Sequence, residues 1–226
     1  MCYSVESSAK TSLLSLISII ILFTSNVPHF KWIAVMMISW CSMQVGELLL
    51  WLTNPRKSCT TMNKVITLTL IPLILLSQPI FSILGSFYVK PWSDYSKRNK
   101  MFIIGYCIIV SIVLLYYFFE NPTSYCTTVT KQGHLNWMIT NNETTKLEMP
   151  IGYYAWAAAI IFPAFLLWDV SYKILYVMTL LPLFGFIYGV TRDSKGGIWC
   201  YYSSYSAVAM LFVYGLYKSK IYNILK

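Results

Sequence analysis

Charge is what this chain has least of. Asp, Glu, Lys and Arg make up 11% of its 226 residues, against 57% hydrophobic residues. A soluble domain carries about a quarter charged residues, so an ordinary water-facing surface cannot be built from this composition and lipid is the expected surrounding of most side chains. Histidine is scarcer still, with only His29 and His134, both in loops. A zinc-dependent membrane hydrolase needs several His or carboxylate ligands, and a serine or cysteine hydrolase needs a base beside its nucleophile. Only Cys126 with His134 comes near such a pair, and a structural role for Cys126 is the expectation. The protein is therefore not expected to be an enzyme, and no metal or cofactor is assigned to it.

Other absences narrow the class further. The last apolar run, 198–217, holds no lysine for a Schiff base, which excludes a retinal pigment. The Asp-Arg-Tyr and Asn-Pro-x-x-Tyr signatures of receptors that signal through G proteins are missing. There is no inverted internal repeat of the transporter kind and no low-complexity segment. No basic stripe interleaved with aromatics stands apart from the apolar runs, so nucleic acid is not an expected partner. The first ten residues carry Glu6 and a single cation, Lys10, and no small-residue cleavage pattern follows. The first run is thus expected to act as an uncleaved anchor. Met1-Cys2 lacks the glycine that myristoylation requires.

What the chain does have is seven apolar runs, at 11–25, 32–52, 65–89, 101–119, 151–168, 172–190 and 198–217. A bilayer-crossing helix needs roughly 20 such residues. The expected fold is an all-α polytopic bundle of seven transmembrane helices, forming one domain over 1–226, with the lipid bilayer as its first partner. Pro72 and Pro79 interrupt the third run, and Pro163 and Pro182 suggest bends in the fifth and sixth. Prolines in a span are tolerated where neighbouring groups satisfy the carbonyls they free. Trp32, Trp51, Trp92, Trp137, Trp168 and Trp199 fall at run ends, as an interfacial aromatic belt would place them. The tail after Tyr217 alternates Lys218 and Lys220 with Ile221, Ile224 and Leu225, which suits a short surface helix.

Lys and Arg number 17 against 8 acids, a net charge of +9. With the amino terminus outside, nine of these cations fall on inner segments and eight on outer ones, so charge alone barely orients the bundle. Cysteine placement orients it better. The same topology puts Cys2, Cys59, Cys126 and Cys200 on the outer side, where an oxidising compartment allows two disulfides with the pairing left open. It leaves Cys41 and Cys107 within the bilayer. The long loop 120–150 lies on that face and contains Asn142 in a glycosylation triplet. The amino terminus is therefore expected outside and the carboxyl terminus inside.

Glu47 is the acidic residue set deep in an apolar run, which by default marks a functional hypothesis. It lies about five residues past the middle of 32–52, roughly 7–8 Å off the midplane. Trp40, Gln44, Glu47 and Trp51 share one helix face by their 4-3-4 spacing. Ser77 and Gln78 of the third run, with Ser203, Ser204 and Ser206 of the seventh, are candidate partners. Such a set can serve as a proton or cation site, or as a hydrogen-bonded network that fixes helix register. A lone carboxyl group makes a poor relay.

The opening Met1-Cys2-Tyr3-Ser4 and the acidic second run Met43-Gln44-Val45-Gly46-Glu47 carry a resemblance. So do Gln78-Pro79, the loop pair Cys126 and Trp137, and Trp199-Cys200. Together they resemble a family of multi-span membrane proteins of giant DNA viruses and some bacteria, whose members open Met-Cys-Trp-Ser. Tyr3 stands where the family has Trp, and Met138 stands where a His often follows the loop Trp. That second departure weakens any metal or proton role for the loop. The resemblance implies a helical membrane fold, a viral setting and a meeting of Cys2 with Cys200, but no activity.

Three functions fit these readings. One is a non-enzymatic multi-pass protein in a host endomembrane, plasma membrane or virion membrane. It would act through its outer cap or a partner, either a second copy or a virion or host membrane protein. Another is a proton or cation conductor using Glu47. The third is a receptor-like bundle that holds a small apolar ligand among Trp40, Trp156, Phe184 and the tyrosines of the last run.

Overall fold

The computed structural model describes residues 4–120, 126–130, 133–137, 156, 158–160, 162 and 195–219, with backbone alone at 117–120 and 195–204. Almost all of it is helix: α1 (Val5–Phe23), α2 (Pro28–Leu52), α3 (Thr61–Ser86), α4 (Lys97–Glu120) and α5 (Lys195–Lys218). Further helical positions lie at Trp156, 158–160 and Phe162. A small antiparallel hairpin pairs β1 (Thr128–Val129) with β2 (Leu135–Asn136). By length and composition α1, α2, α3 and the Lys97–Tyr116 part of α4 could each cross a membrane. The expected spans 151–168 and 172–190, with Pro163 and Pro182, fall almost wholly outside the described residues, as do Asn142, most of loop 120–150 and the tail beyond Ser219.

Every described helix begins before the apolar run that signals it. In α1, α3 and α4 the cause is capping: the residue that satisfies the first free N–H groups is polar and precedes the hydrophobic stretch. Ser4 accepts from the Ser7 amide, so α1 starts at Val5 where residue 11 is expected. Thr60 accepts from the Asn63 amide and starts α3 four residues ahead of residue 65. Ser96 does the same for Asn99 at the head of α4. Helix α2 opens on Pro28, whose missing N–H costs nothing in the first turn.

Helix α2 is the axis of the molecule, and α1, α3 and α5 all pack on it. Trp32, Ile33, Met36, Met37, Trp40, Met43 and Leu50 are buried around its circumference. Helix α1 turns Ser8, Ser15, Ser18 and Leu22 inward and leaves Leu13, Leu16, Ile17 and Ile20 outside. Small hydroxyl residues let two backbones approach closely in lipid, where apolar burial between helices drives little. The α2–α3 contact is tighter still. A Cβ on Gly85 would lie 2.7 Å from the Trp32 carbonyl oxygen, and one on Gly46 would lie 3.1 Å from Ile74.

The prolines are accommodated by donors from elsewhere. Pro79 has no N–H for the Leu75 carbonyl one turn back, and the Trp156 indole donates to that carbonyl at 3.2 Å. The Ala159 carbonyl accepts from the Tyr106 hydroxyl at 2.7 Å. Pro72 follows a π-helical turn at Ile66–Leu70, a local widening of the ladder that relieves a proline ring.

The aromatic belt needs correcting. Trp32, Trp51 and Trp137 are buried, and the Trp32 indole donates to the Ser82 carbonyl at 2.8 Å. Trp92, 37% exposed, is the one described run-end tryptophan that fits the belt.

Candidate functional site

Because α2 starts at Pro28, its middle moves to Trp40. Glu47 then lies seven residues beyond that middle, about 10 Å along the axis. It is nearer the C-terminal end of α2 than the apolar run alone suggests, and it has no exposed surface. Trp40, Gln44, Glu47 and Trp51 are all buried, so the 4-3-4 face points into the bundle.

The partners differ from those expected. Gln44 accepts from the Thr11 hydroxyl of α1 at 3.0 Å, and the Ser15 hydroxyl faces the Cys41 thiol one turn further in. These crossings set the α1–α2 register and bring the buried Ser8 to the level of Glu47. Ser77 is turned back onto its own helix and donates to the Ile74 carbonyl. Ser206 faces the Met37 sulfur at 3.5 Å. The side chains of Ser203 and Ser204 lie outside the described residues.

Gln78 is fully buried, and neither of its amide atoms has a partner among the described residues. The α2–α3 contacts at Gly46–Ile74 and Trp32–Gly85 put Gln78 level with Trp40, about 10 Å along the axis from Glu47. The polar groups make a column along the C-terminal half of α2, with Thr11 and Ser8 contributed by α1. The Ser8, Thr11, Ser15, Ser18 spacing carried that signal, since hydroxyls repeating every three or four residues mark a single helix face.

Beyond the C-terminal end of α2 the column ends in the most completely bonded site described. Asn63 of α3 grips the backbone of Thr127: its Oδ1 accepts from the Thr127 N–H at 2.8 Å and its Nδ2 donates to the Thr127 carbonyl at 3.0 Å. Nδ2 also donates to Thr53 Oγ1, and Oδ1 also accepts from Thr67 Oγ1. Thr67 and Thr127 share a hydroxyl contact of 2.8 Å, and the Thr127 N–H reaches Thr67 Oγ1 at 3.1 Å. Asn63, Thr67 and Thr127 are all buried, and the amide of Asn63 spends all its capacity here.

One residue away, Cys126 is joined to Cys59 in a disulfide. Cys126 is therefore a crosslink and cannot serve His134 as a nucleophile. The β1–β2 hairpin lies next, with Leu135 and Trp137 in the main core beneath it. Asn54, in the left-handed conformation at φ 56°, ends α2 and leads into the segment that carries Cys59. Of the other expected disulfide residues, Cys2 and the side chain of Cys200 lie outside the described residues.

His134 is buried in this cap, and burial pushes its imidazole below the ordinary 6.5. The unfolded chain takes up a proton near pH 6.5 that the folded cap resists, so the contribution of the neutral imidazole is fully present above that pH and is lost as pH falls below it. Hydrogen exchange at the Thr127 amide should accelerate as pH falls below 6.5, after correction for intrinsic rates. His134→Gln should flatten that dependence.

No protein-family model, curated protein or solved structure matches this chain, so its function is read from its own residues.

Proposed function

We propose that the protein is a non-enzymatic seven-span viral membrane protein whose working part is the outer cap, held ready for a partner on the oxidising side. The Asn63 clamp beside the Cys59–Cys126 disulfide carries this reading. A loop whose backbone is gripped by buried side chains and then crosslinked keeps one shape outside the bilayer, and that rigidity favours recognition because little ordering remains to be done on binding. The partner is a second copy or a membrane protein of host or virion. The resemblance to proteins of giant DNA viruses, the four long apolar helices and the same-side placement of Cys59 and Cys126 support the setting and the topology.

A proton or cation conductor is the second reading, favoured by the buried Glu47 and by the buried Gln78 amide, which has no partner among the described residues. Against it, Glu47 has no exposed surface, and its level on α2 is about 10 Å along the helix axis from that of Gln78. A small apolar ligand fares worse. Trp40 is fully packed, the Trp156 indole is bound to Leu75, and Phe184 lies outside the described residues.

Flux in liposomes separates the readings. Neither the wild type nor Glu47→Gln should carry protons or cations above empty vesicles. The substitution keeps shape and hydrogen-bonding capacity, so it should lower thermal stability by no more than about 1–2 kcal/mol. Wild-type flux that disappears in Glu47→Gln would sink the cap reading in favour of conduction.

A further inference from the structure

The end of the bundle opposite the cap has a different chemistry. Phe23 meets Tyr88 edge to face there, and Phe30 meets Tyr214 and Tyr217, so the ends of α1, α2, α3 and α5 converge. Lys31, Lys90, Lys97, Arg98, Lys100 and Lys218 lie at this end, with Asp94 the one described acid against them. Asp94 is itself engaged by the Ser93 hydroxyl.

The aromatics of the loop between α3 and α4 hold two of these cations. Phe87, Trp92 and Tyr95 form a packed aromatic cluster with centroid distances of 5.3–6.2 Å. Lys90 sits over Tyr95 at 4.8 Å and Lys100 over Trp92 at 5.6 Å. Lys97 and Arg98 project from the first turn of α4, exposed and with no acid in that turn. Cations there oppose the positive end of the helix dipole. This charge therefore does not serve the helix. It faces outward beside Trp92 and Tyr88, two part-exposed aromatics of the kind that settle at headgroup depth.

We propose that this loop is a docking surface for anionic phospholipid headgroups of the leaflet opposite the cap, with Lys97 and Arg98 as its main phosphate contacts. Charge complementarity selects the occupant. A surface of cations level with the interface meets headgroup phosphates before any soluble anion, and the aromatics beside them hold it at that depth. The docking rests on the membrane reading but not on the role of the cap.

The test is native mass spectrometry of the full chain purified in mild detergent with equal amounts of phosphatidylglycerol and phosphatidylcholine. The wild type should retain the anionic lipid preferentially. Lys97→Ser with Arg98→Ser should weaken that preference by up to about fivefold per cation removed. Lys57→Ser with Lys64→Ser, at the cap end, should leave it intact. Raising salt to 0.5 M on the wild-type protein should erase the preference by screening, a readout that needs no variant to fold. Equal retention in both double variants, salt-insensitive retention, or full displacement by millimolar inorganic phosphate would each overturn the proposal. Release of the chain from membranes by alkaline carbonate would instead overturn the membrane reading itself.

Discussion

Asn63→Leu should free the cap from the bundle while leaving the helices in place. Leucine matches the volume of the amide but offers neither donor nor acceptor. The Thr127 carbonyl would then be buried with nothing in place of Nδ2, which now donates to it at 3.0 Å, and the Thr127 N–H would keep only its 3.1 Å contact to Thr67. A buried group left without its partner costs about 1–3 kcal/mol, and Thr53 and Thr67 lose the same amide. A total near 3 kcal/mol corresponds to roughly a hundredfold faster exchange of the Thr127 amide, since each 1.36 kcal/mol is tenfold. Thr67→Val removes one hydroxyl and keeps the Asn63 grip, so its effect should be several times smaller. If Asn63→Leu exchanged at the wild-type rate, the clamp would not be what holds the cap.

The second large effect is expected on removing the crosslink. The Cys59–Cys126 disulfide closes a loop with a sequence separation of 67. On the chain-entropy account a closure of that size contributes about 4 kcal/mol, by restricting the unfolded ensemble. For a chain of this length 1 kcal/mol corresponds to about 2–4 °C, so Cys59→Ser with Cys126→Ser should melt roughly 8–16 °C below the wild type in detergent. A reductant should reproduce the shift in the wild type and do nothing to the variant. Because the clamp binds Thr127 directly beside Cys126, the folded cap should persist in the variant below its melting point. A wild-type chain indifferent to reductant would show that this disulfide does not constrain the fold.

Helix and apolar character were plain in the sequence because they are properties of a run of residues, which composition reveals. Boundaries were not, because the caps at Ser4, Thr60 and Ser96 are polar and lie outside the run. The inward face of α2 was legible from the 4-3-4 spacing of Trp40, Gln44, Glu47 and Trp51, since periodicity within one helix needs no knowledge of neighbours. The partner of Gln44 was not, because it depends on which helix lies alongside, and spacing within α2 cannot distinguish Thr11 from Ser206. The tryptophans misled for a related reason. Position at a run end fits an interfacial ring and a buried one equally, and only packing separates Trp32 from Trp92. Cys59 and Cys126 stood among the disulfide residues by their shared side, yet Asn63 and Thr67 gave no sign. Their value lies in meeting one backbone unit 60 or more residues away.

The carbonyl of Leu75 bears on how the chain is made as well as on how it rests. Pro79 leaves that oxygen open, and the group that closes it, the indole of Trp156, is synthesised 81 residues later. Until then α3 must hold an unsatisfied acceptor in an apolar surrounding, which favours keeping it near water or the insertion machinery. Ala159 has the reverse timing, for Tyr106 is already waiting when it arrives. Release of α3 into lipid is thus tied to arrival of the segment around Trp156. A ribosome-bound chain truncated before that tryptophan should leave α3 loosely held, and one extended well beyond it should lock α3 in place.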